Sequence, residues 1–324
     1  MWLQYVRLLV LVHVLLSERG QGFPINSCDA DRLCYVEGRH EQPTAPSPRT
    51  QETVRGSFSE LINWRGFQAQ LKHKASVEAE RERRERERHT RHGLARMFGG
   101  TSGNEGTDEG LLDILFVGDS ITEQWLGTSY GRPRTDREEV RRVFEEHFGK
   151  YRTLVLAISG DQTQHLLWRL DESMGGELPA GLQTKAVVLL IGTNNLSFGH
   201  HPREAAQGAV SVASLLRHRF PDAKLLVNTL MPRGPRGYSD ICPEQCSDGS
   251  TPYSDFEAAI QVFNEVLVAK LRGLADVEVV DCSGIFAANG EGVNLRLMPD
   301  ALHPNGLGAD RWAQQCLLPA LNLA

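Results

Sequence analysis

The chain has 324 residues, 40% of them hydrophobic and 23% charged, which suits one medium globular domain with additions. Its formal net charge of −6 leaves no basic footprint, and this argues against a nucleic-acid partner.

At the amino terminus Arg7 precedes a short apolar run from Leu8 to Leu16, and Gly20 and Gly22 follow. The run is short for a membrane-spanning helix, so residues 1–22 are expected to be a secretory signal peptide, with an uncleaved signal anchor as the rival. Secretion fits the cysteines. Cys28 and Cys34 lie close together in a polar segment, and Cys242 and Cys246 in a loop rich in Pro, Gly and Ser. Two local disulfides are expected there in an oxidising compartment. Cys282 and Cys316 stand in apolar settings and read as small core residues.

Residues 23–60 lack sustained periodicity and read as linker. Residues 61–92 read as a helix, and its run from Glu80 to His92 alternates in charge, as a solvated helix laced with i,i+4 pairs does. A Gly-rich stretch over 99–110 closes this amino-terminal extension, residues 23–110.

From residue 111 to 324 the pattern changes. Apolar runs of strand length recur at 111–117, 153–158, 186–191, 223–229 and 277–281. Helix-like stretches follow at 136–148, 161–172, 202–219, 254–272 and 306–322. The runs are nearly continuous, as in strands buried on both faces. The alternation predicts an α/β fold, a parallel sheet sandwiched by helices. Ligands of such sheets bind beyond the carboxyl ends of the strands.

Gly118-Asp119-Ser120 follows the first run, Ser159-Gly160-Asp161 the second, Gly192-Thr193-Asn194-Asn195 the third and Met231-Pro232-Arg233-Gly234 the fourth. Asp300-Ala301-Leu302-His303-Pro304 comes after the fifth. Each alone reads as turn and helix-cap residues. Together they supply what acyl transfer requires. Ser120 is the candidate nucleophile. His303 is its base, because a serine hydroxyl is a weak nucleophile unaided. Asp300 would hold the imidazole in one tautomer. The backbone N–H groups of Ser120 and Gly160 and the Asn194 amide are candidate oxyanion donors. This chemistry asks for no metal or cofactor. Asp119 reads as a cap, and Trp168 and Arg169 as packing and ion-pair residues. The GxSxG elbow of α/β-hydrolases is absent.

Four blocks carry a resemblance: LFVGDSITEQW with Ser120, ISGDQTQHLLWRL with Gly160, LLIGTNNL with Asn194, and MPDALHPNGLGADRWA with Asp300 and His303. Over roughly residues 111–322 the chain resembles the SGNH (GDSL-type) hydrolases. GDQTQHLLWRL and MPRG point to the branch of platelet-activating-factor acetylhydrolase Ib catalytic subunits and related secreted esterases. The resemblance implies a flavodoxin-like three-layer α/β/α sandwich with five parallel strands. It implies the triad and oxyanion donors named above, a small acyl pocket lined by Ile121, Thr193 and Leu302, and a homodimer, as the resembling subunits form. The expected activity is a serine esterase acting on small acyl, above all acetyl, esters of a carbohydrate or phospholipid-like substrate. Two other readings stay open: a non-catalytic carbohydrate- or lipid-binding module on the same fold, and a thioesterase.

The chain departs from the family pattern where Val155, Ala157 and Ser159 replace the Asn and glycines common in the second block. The stretch from Arg233 to Asp255 is long and is expected to frame the site. Asn195-Leu196-Ser197 is a formal glycosylation acceptor, expected to stay unmodified because a glycan would obstruct the site.

Overall fold

The structure, a computed structural model, describes residues 43–49, 58–97, 111–234, 256–288 and 291–323. The expected signal peptide and both expected cysteine pairs, Cys28/Cys34 and Cys242/Cys246, lie outside the described residues, as does most of the long stretch after Arg233. Among the described residues no helix is long and apolar enough to cross a membrane.

Five strands form one parallel sheet: β1 (Leu112–Gly118), β2 (Thr153–Ala157), β3 (Thr184–Leu190), β4 (Lys224–Asn228) and β5 (Val277–Val280). Their order across the sheet is β2-β1-β3-β4-β5. All five stand where the apolar runs predict them. β1 is buried along nearly its whole length, whereas the edge strand β5 is only half-buried, and Glu278 there faces solvent.

Each crossover is a helix. Glu138–Phe148 joins β1 to β2, while Thr163–Leu170, Pro202–Arg219 and Glu257–Leu271 make the later crossings. The last three pack in series, and Glu138–Phe148 packs instead with the carboxyl-terminal helix Gly306–Trp312. Right-handed crossovers in this strand order put the two groups on opposite faces, giving three layers. On one face the rings of Phe116, Trp125, Phe144, Phe148 and Trp312 interlock, with Trp125 stacked on Trp312 at 5.2 Å between centroids. The direction of chain winding reverses between β1 and β3, and a crevice opens there at the strands' carboxyl ends.

The charged amino-terminal helix, α1 (Phe58–Met97), is more than the solvated rod its composition suggests. Leu61, Trp64, Phe67, Leu71, Ala75 and Ala79 recur every three or four residues and are buried, all but Leu61 in the same core as the sheet. The next position on that stripe is Glu82, which is fully buried. Its carboxylate accepts the backbone N–H groups of Leu112 at 3.1 Å and Gln183 at 2.9 Å, at the amino ends of β1 and β3. Outside this stripe the expected pairs do form on the surface, Arg81 with Glu85, Arg83 with Glu87, and Arg84 with Glu80. A helical net of charges conceals one acid facing inward, because charge patterning reports sign and not facing.

Cys282 and Cys316, read from the sequence as small core residues, are joined by a disulfide, with their Cα atoms 5.9 Å apart. They are 34 residues apart in sequence and become neighbours only because the final helix returns beside the end of β5.

Candidate active site

β1 ends at Gly118, whose register partners are Ala157 on β2 and Leu190 on β3. The turns that carry Ser120, Ser159-Gly160 and Thr193-Asn194 therefore leave the sheet from one rung. No side chain fits at Gly118: a Cβ there would stand 2.4 Å from both the Leu190 carbonyl oxygen and Thr122 Oγ1. The chain turns at once into the short helix Ser120–Glu123. Asp119 caps it, its Oδ1 accepting the Ile121 N–H at 3.0 Å. Asp119 is fully buried, and burial above all pushes its carboxyl up to about 7.

Ser120 is 6% exposed. Its Oγ lies 2.8 Å from His303 Nε2, and His303 Nδ1 lies 2.7 Å from Asp300 Oδ2. The other Asp300 oxygen accepts the backbone N–H groups of His303 and Leu302 at 2.7 and 3.0 Å. Ala301 holds a left-handed φ of 61° to let the carboxylate fold back onto the imidazole. Burial acts to raise the Asp300 carboxyl, but the imidazole and the two N–H groups outweigh it and hold it down to about 2. An ionised Asp300 only accepts. Nδ1 of a neutral His303 then carries the proton, and Nε2 accepts from the Ser120 hydroxyl.

The second expected block gives the other half of the site. Gly160 has φ +77°. Ser159, where the family pattern favours glycine, donates through both its N–H and its Oγ to Glu123 Oε2, each at 2.6 Å. Glu123 Oε1 accepts from Thr128 Oγ1 and the Gly131 N–H. One fully buried acid, three residues after Ser120, thus ties the helix of Ser120 to the loop of Gly160. The Asn194 amide donates to the Asp161 carbonyl at 2.9 Å, which fixes its plane and leaves its second N–H for an oxyanion.

Asp161 is the hub behind these donors. It is fully buried and accepts from Trp64 Nε1 at 2.7 Å and from Arg169 Nη1. Arg169 in turn forks onto Glu177 at 2.8 and 2.7 Å. Burial pushes both carboxyls upward, against the pull of the guanidiniums. Trp168 packs on Trp64, 5.9 Å between ring centroids, so Trp168 and Arg169 play the packing and ion-pair parts expected of them. Asn195 is also fully buried. Its amide is spent on Thr163 and Gln164, and the acceptor sequence is sealed inside the fold.

Ile121, Thr193 and Leu302, expected to line the acyl pocket, are 2%, 3% and 7% exposed, each one residue from Ser120, Asn194 or His303. Thr193 is further fixed by Arg233, which donates to its carbonyl at 2.9 Å and its hydroxyl at 3.0 Å and stacks on Phe256. Sequence reading missed Glu123, Trp64 and Arg233 as supports of this region. Only Trp64 left a trace, as one of the apolar residues spaced three and four apart along α1.

The GDSL-like Lipase/Acylhydrolase family matches residues 116–311, more than half of the chain, and the chain belongs to that family. Membership makes it a carboxylic ester hydrolase. It is 31% identical over 196 residues to human platelet-activating factor acetylhydrolase IB subunit alpha2, a match covering 60% of this chain and 70% of that protein. The Pongo abelii alpha1 subunit of the same enzyme is 28% identical over 196 residues, with 60% and 70% covered. In fold the chain is similar to a solved Streptococcus pneumonia structure named for a platelet activating factor, with a TM-score of 0.51, 18% identity, and 85% of this chain and 98% of that one covered.

Proposed function

We propose that this chain is a serine esterase whose triad is Ser120, His303 and Asp300, and whose preferred acyl group is acetyl. The observation that carries the reading is the unbroken relay from Ser120 Oγ through both ring nitrogens of His303 to Asp300. Ser120 Oγ attacks the ester carbonyl carbon as His303 Nε2 takes its proton. The anionic oxygen of the tetrahedral intermediate is met by the N–H groups of Ser120 and Gly160 and by the Asn194 amide. His303 returns the proton to the leaving alcohol, and an acyl-Ser120 remains. Water, deprotonated by His303, repeats the cycle and releases the acid.

The preference for a short acyl group rests on the crowded side chains beside the triad. Ile121, Thr193 and Leu302 are all buried, and Arg233 holds Thr193 in place. Each added methylene changes discrimination by about 1–3 kcal/mol. The relatives named for platelet-activating factor acetylhydrolase support a phospholipid-like ester, with acetylated carbohydrate as the other candidate.

The test is p-nitrophenyl acetate hydrolysis and fluorophosphonate labelling. Ser120→Ala should lose labelling altogether and kcat by on the order of 10⁶. Full activity in that variant would sink the reading. Acetyl, butyryl and octanoyl esters, with an acyl-CoA beside them, then sort chain length and thioester use.

A further inference from the structure

The family match begins at residue 116, yet two side chains from far upstream reach the oxyanion side of the site. One is Trp64, already described on Asp161. The other is Arg49, on a segment tied down at two points just before it. The Thr163 hydroxyl donates to the Pro43 carbonyl at 2.8 Å, and the Ser47 N–H donates to the Gln164 carbonyl at 3.1 Å. Arg49 is only 2% exposed. Its Nε stands 3.6 Å from Asp161 Oδ1, and its Nη1 donates to the Tyr130 hydroxyl at 3.4 Å. Its Nη2 presses on Gly160 so closely that a Cβ at Gly160 would lie 2.1 Å from it.

We infer that Arg49 is a positioning residue for the oxyanion hole, so that the amino-terminal extension is part of the catalytic unit. The inference rests on the proposed triad and deepens it.

Two arguments carry it. The first is geometric. Gly160 and Asn194 both hang from Asp161, the one as its preceding residue and the other through its carbonyl. Arg49 touches Gly160 from outside and Asp161 from the side, so it fixes the peptide whose N–H must meet the anion. Misplacing such a group by 1 Å costs on the order of a hundredfold. The second is electrostatic. Asp161 and Glu177 are two buried carboxyls, and Arg49 and Arg169 are the two guanidiniums that face them. Removing Arg49 leaves one uncompensated acid directly behind the oxyanion donors. In a buried setting that charge opposes the developing anion, and the opposition is greatest in the transition state.

The experiment compares the full chain with Arg49→Met, which keeps the aliphatic volume but no donor or charge, and with Arg49→Lys, which keeps the charge. Active molecules are counted by fluorophosphonate titration of Ser120, and kcat and KM for p-nitrophenyl acetate are measured per titrated site. Arg49→Met should lower kcat by about ten- to a hundredfold with KM unchanged, at or below the loss of a whole oxyanion donor. Binding of a boronic acid, which mimics the tetrahedral anion, should weaken by the same factor. Arg49→Lys should recover most of the kcat. A contact that only held the fold together would lower Tm and leave kcat per titrated site intact. An Arg49→Met enzyme turning over within twofold of the parent therefore overturns the inference. If Arg49→Met is not recovered folded, Trp64→Phe decides by the same criterion, because among the described residues it removes the other contact from the extension to Asp161. Ser120→Ala separates this from the underlying reading. If it still hydrolyses the ester, the triad itself is wrong. If it is inactive and Arg49→Met is normal, only the role of Arg49 falls.

Discussion

The two halves of the site are built from opposite materials. Ser120 and His303 are 183 residues apart in sequence and meet near the surface, and the Asp300 side chain behind them is 56% exposed. Asp161, Arg169 and Glu177, behind Gly160 and Asn194, are completely buried and bonded to one another. In the proposed mechanism the first half moves protons, so it needs a base open to water and to the leaving alcohol. The second half only has to present N–H groups in fixed places, and burial supplies that rigidity. A substitution in the first half should therefore cost rate at little cost in stability, and one in the second half should cost stability first.

The largest expected effect is in the exposed half. Asp300→Asn keeps an oxygen for the Leu302 and His303 N–H groups but loses the charge that fixes the imidazole tautomer. It should lower kcat by on the order of 10⁴. Its unfolding free energy at neutral pH should fall by no more than about 1–2 kcal/mol, because the folded state favours the ionised carboxylate but its side chain is half exposed and screened. A large fall in the urea midpoint would erase the contrast. The buried half should answer in reverse. Arg169→Met removes the partner of two buried carboxyls and should cost about 3–5 kcal/mol in urea unfolding. A change below about 1 kcal/mol would mean that the network is no more rigid than the surface.

One device stiffens the exposed half from a distance. The disulfide between Cys282 and Cys316 encloses the whole turn of Asp300 and His303 in its loop of 34 residues. Replacing both cysteines with serine should cost about 3–4 kcal/mol through the entropy of the unfolded chain. Alkylation without reductant should leave both positions unmodified in the parent. Modification of either would remove this support and widen the difference between the two halves.

The same contrast governs what the sequence discloses. The five strands were legible because buried parallel strands are near-continuous apolar runs. Ser120, Gly160, Asn194, Asp300 and His303 were legible because each follows such a run in a short block. The buttress was not. Arg49 sits in a stretch rich in Pro and Ser with no periodicity, and nothing local marks it as buried. Trp64 and Glu82 lie on a helix whose charge run suggested solvent on every side, and only the three-and-four spacing of its apolar residues hinted at a docked face. The disulfide was missed because its cysteines share no local pattern. Partners in a polar core are set by tertiary placement, and a chain read in one dimension does not record it.

Asp119 joins the two halves and gives the smallest and most diagnostic effect. It caps the helix of Ser120, and the charge of Asp161 adds to burial in raising its carboxyl to about 7 from an ordinary 3.8. A carboxyl raised in the folded state favours folding while it is protonated. That contribution is complete below about pH 4 and is lost as the pH climbs through about 7. Asp119→Asn keeps an acceptor for the Ile121 N–H but cannot ionise. It also puts an amide where Asp119 Oδ2 has no hydrogen-bond partner among the described residues, at a cost of about 1–3 kcal/mol. The variant should therefore be less stable than the parent at pH 4.5, and the difference should shrink or reverse by pH 7.5. Parallel Tm curves for the two proteins across that range would mean that Asp119 is ionised throughout. The buried half would then tolerate a second acid beside Asp161, and it would not be the charge-matched block that the contrast with Asp300 requires.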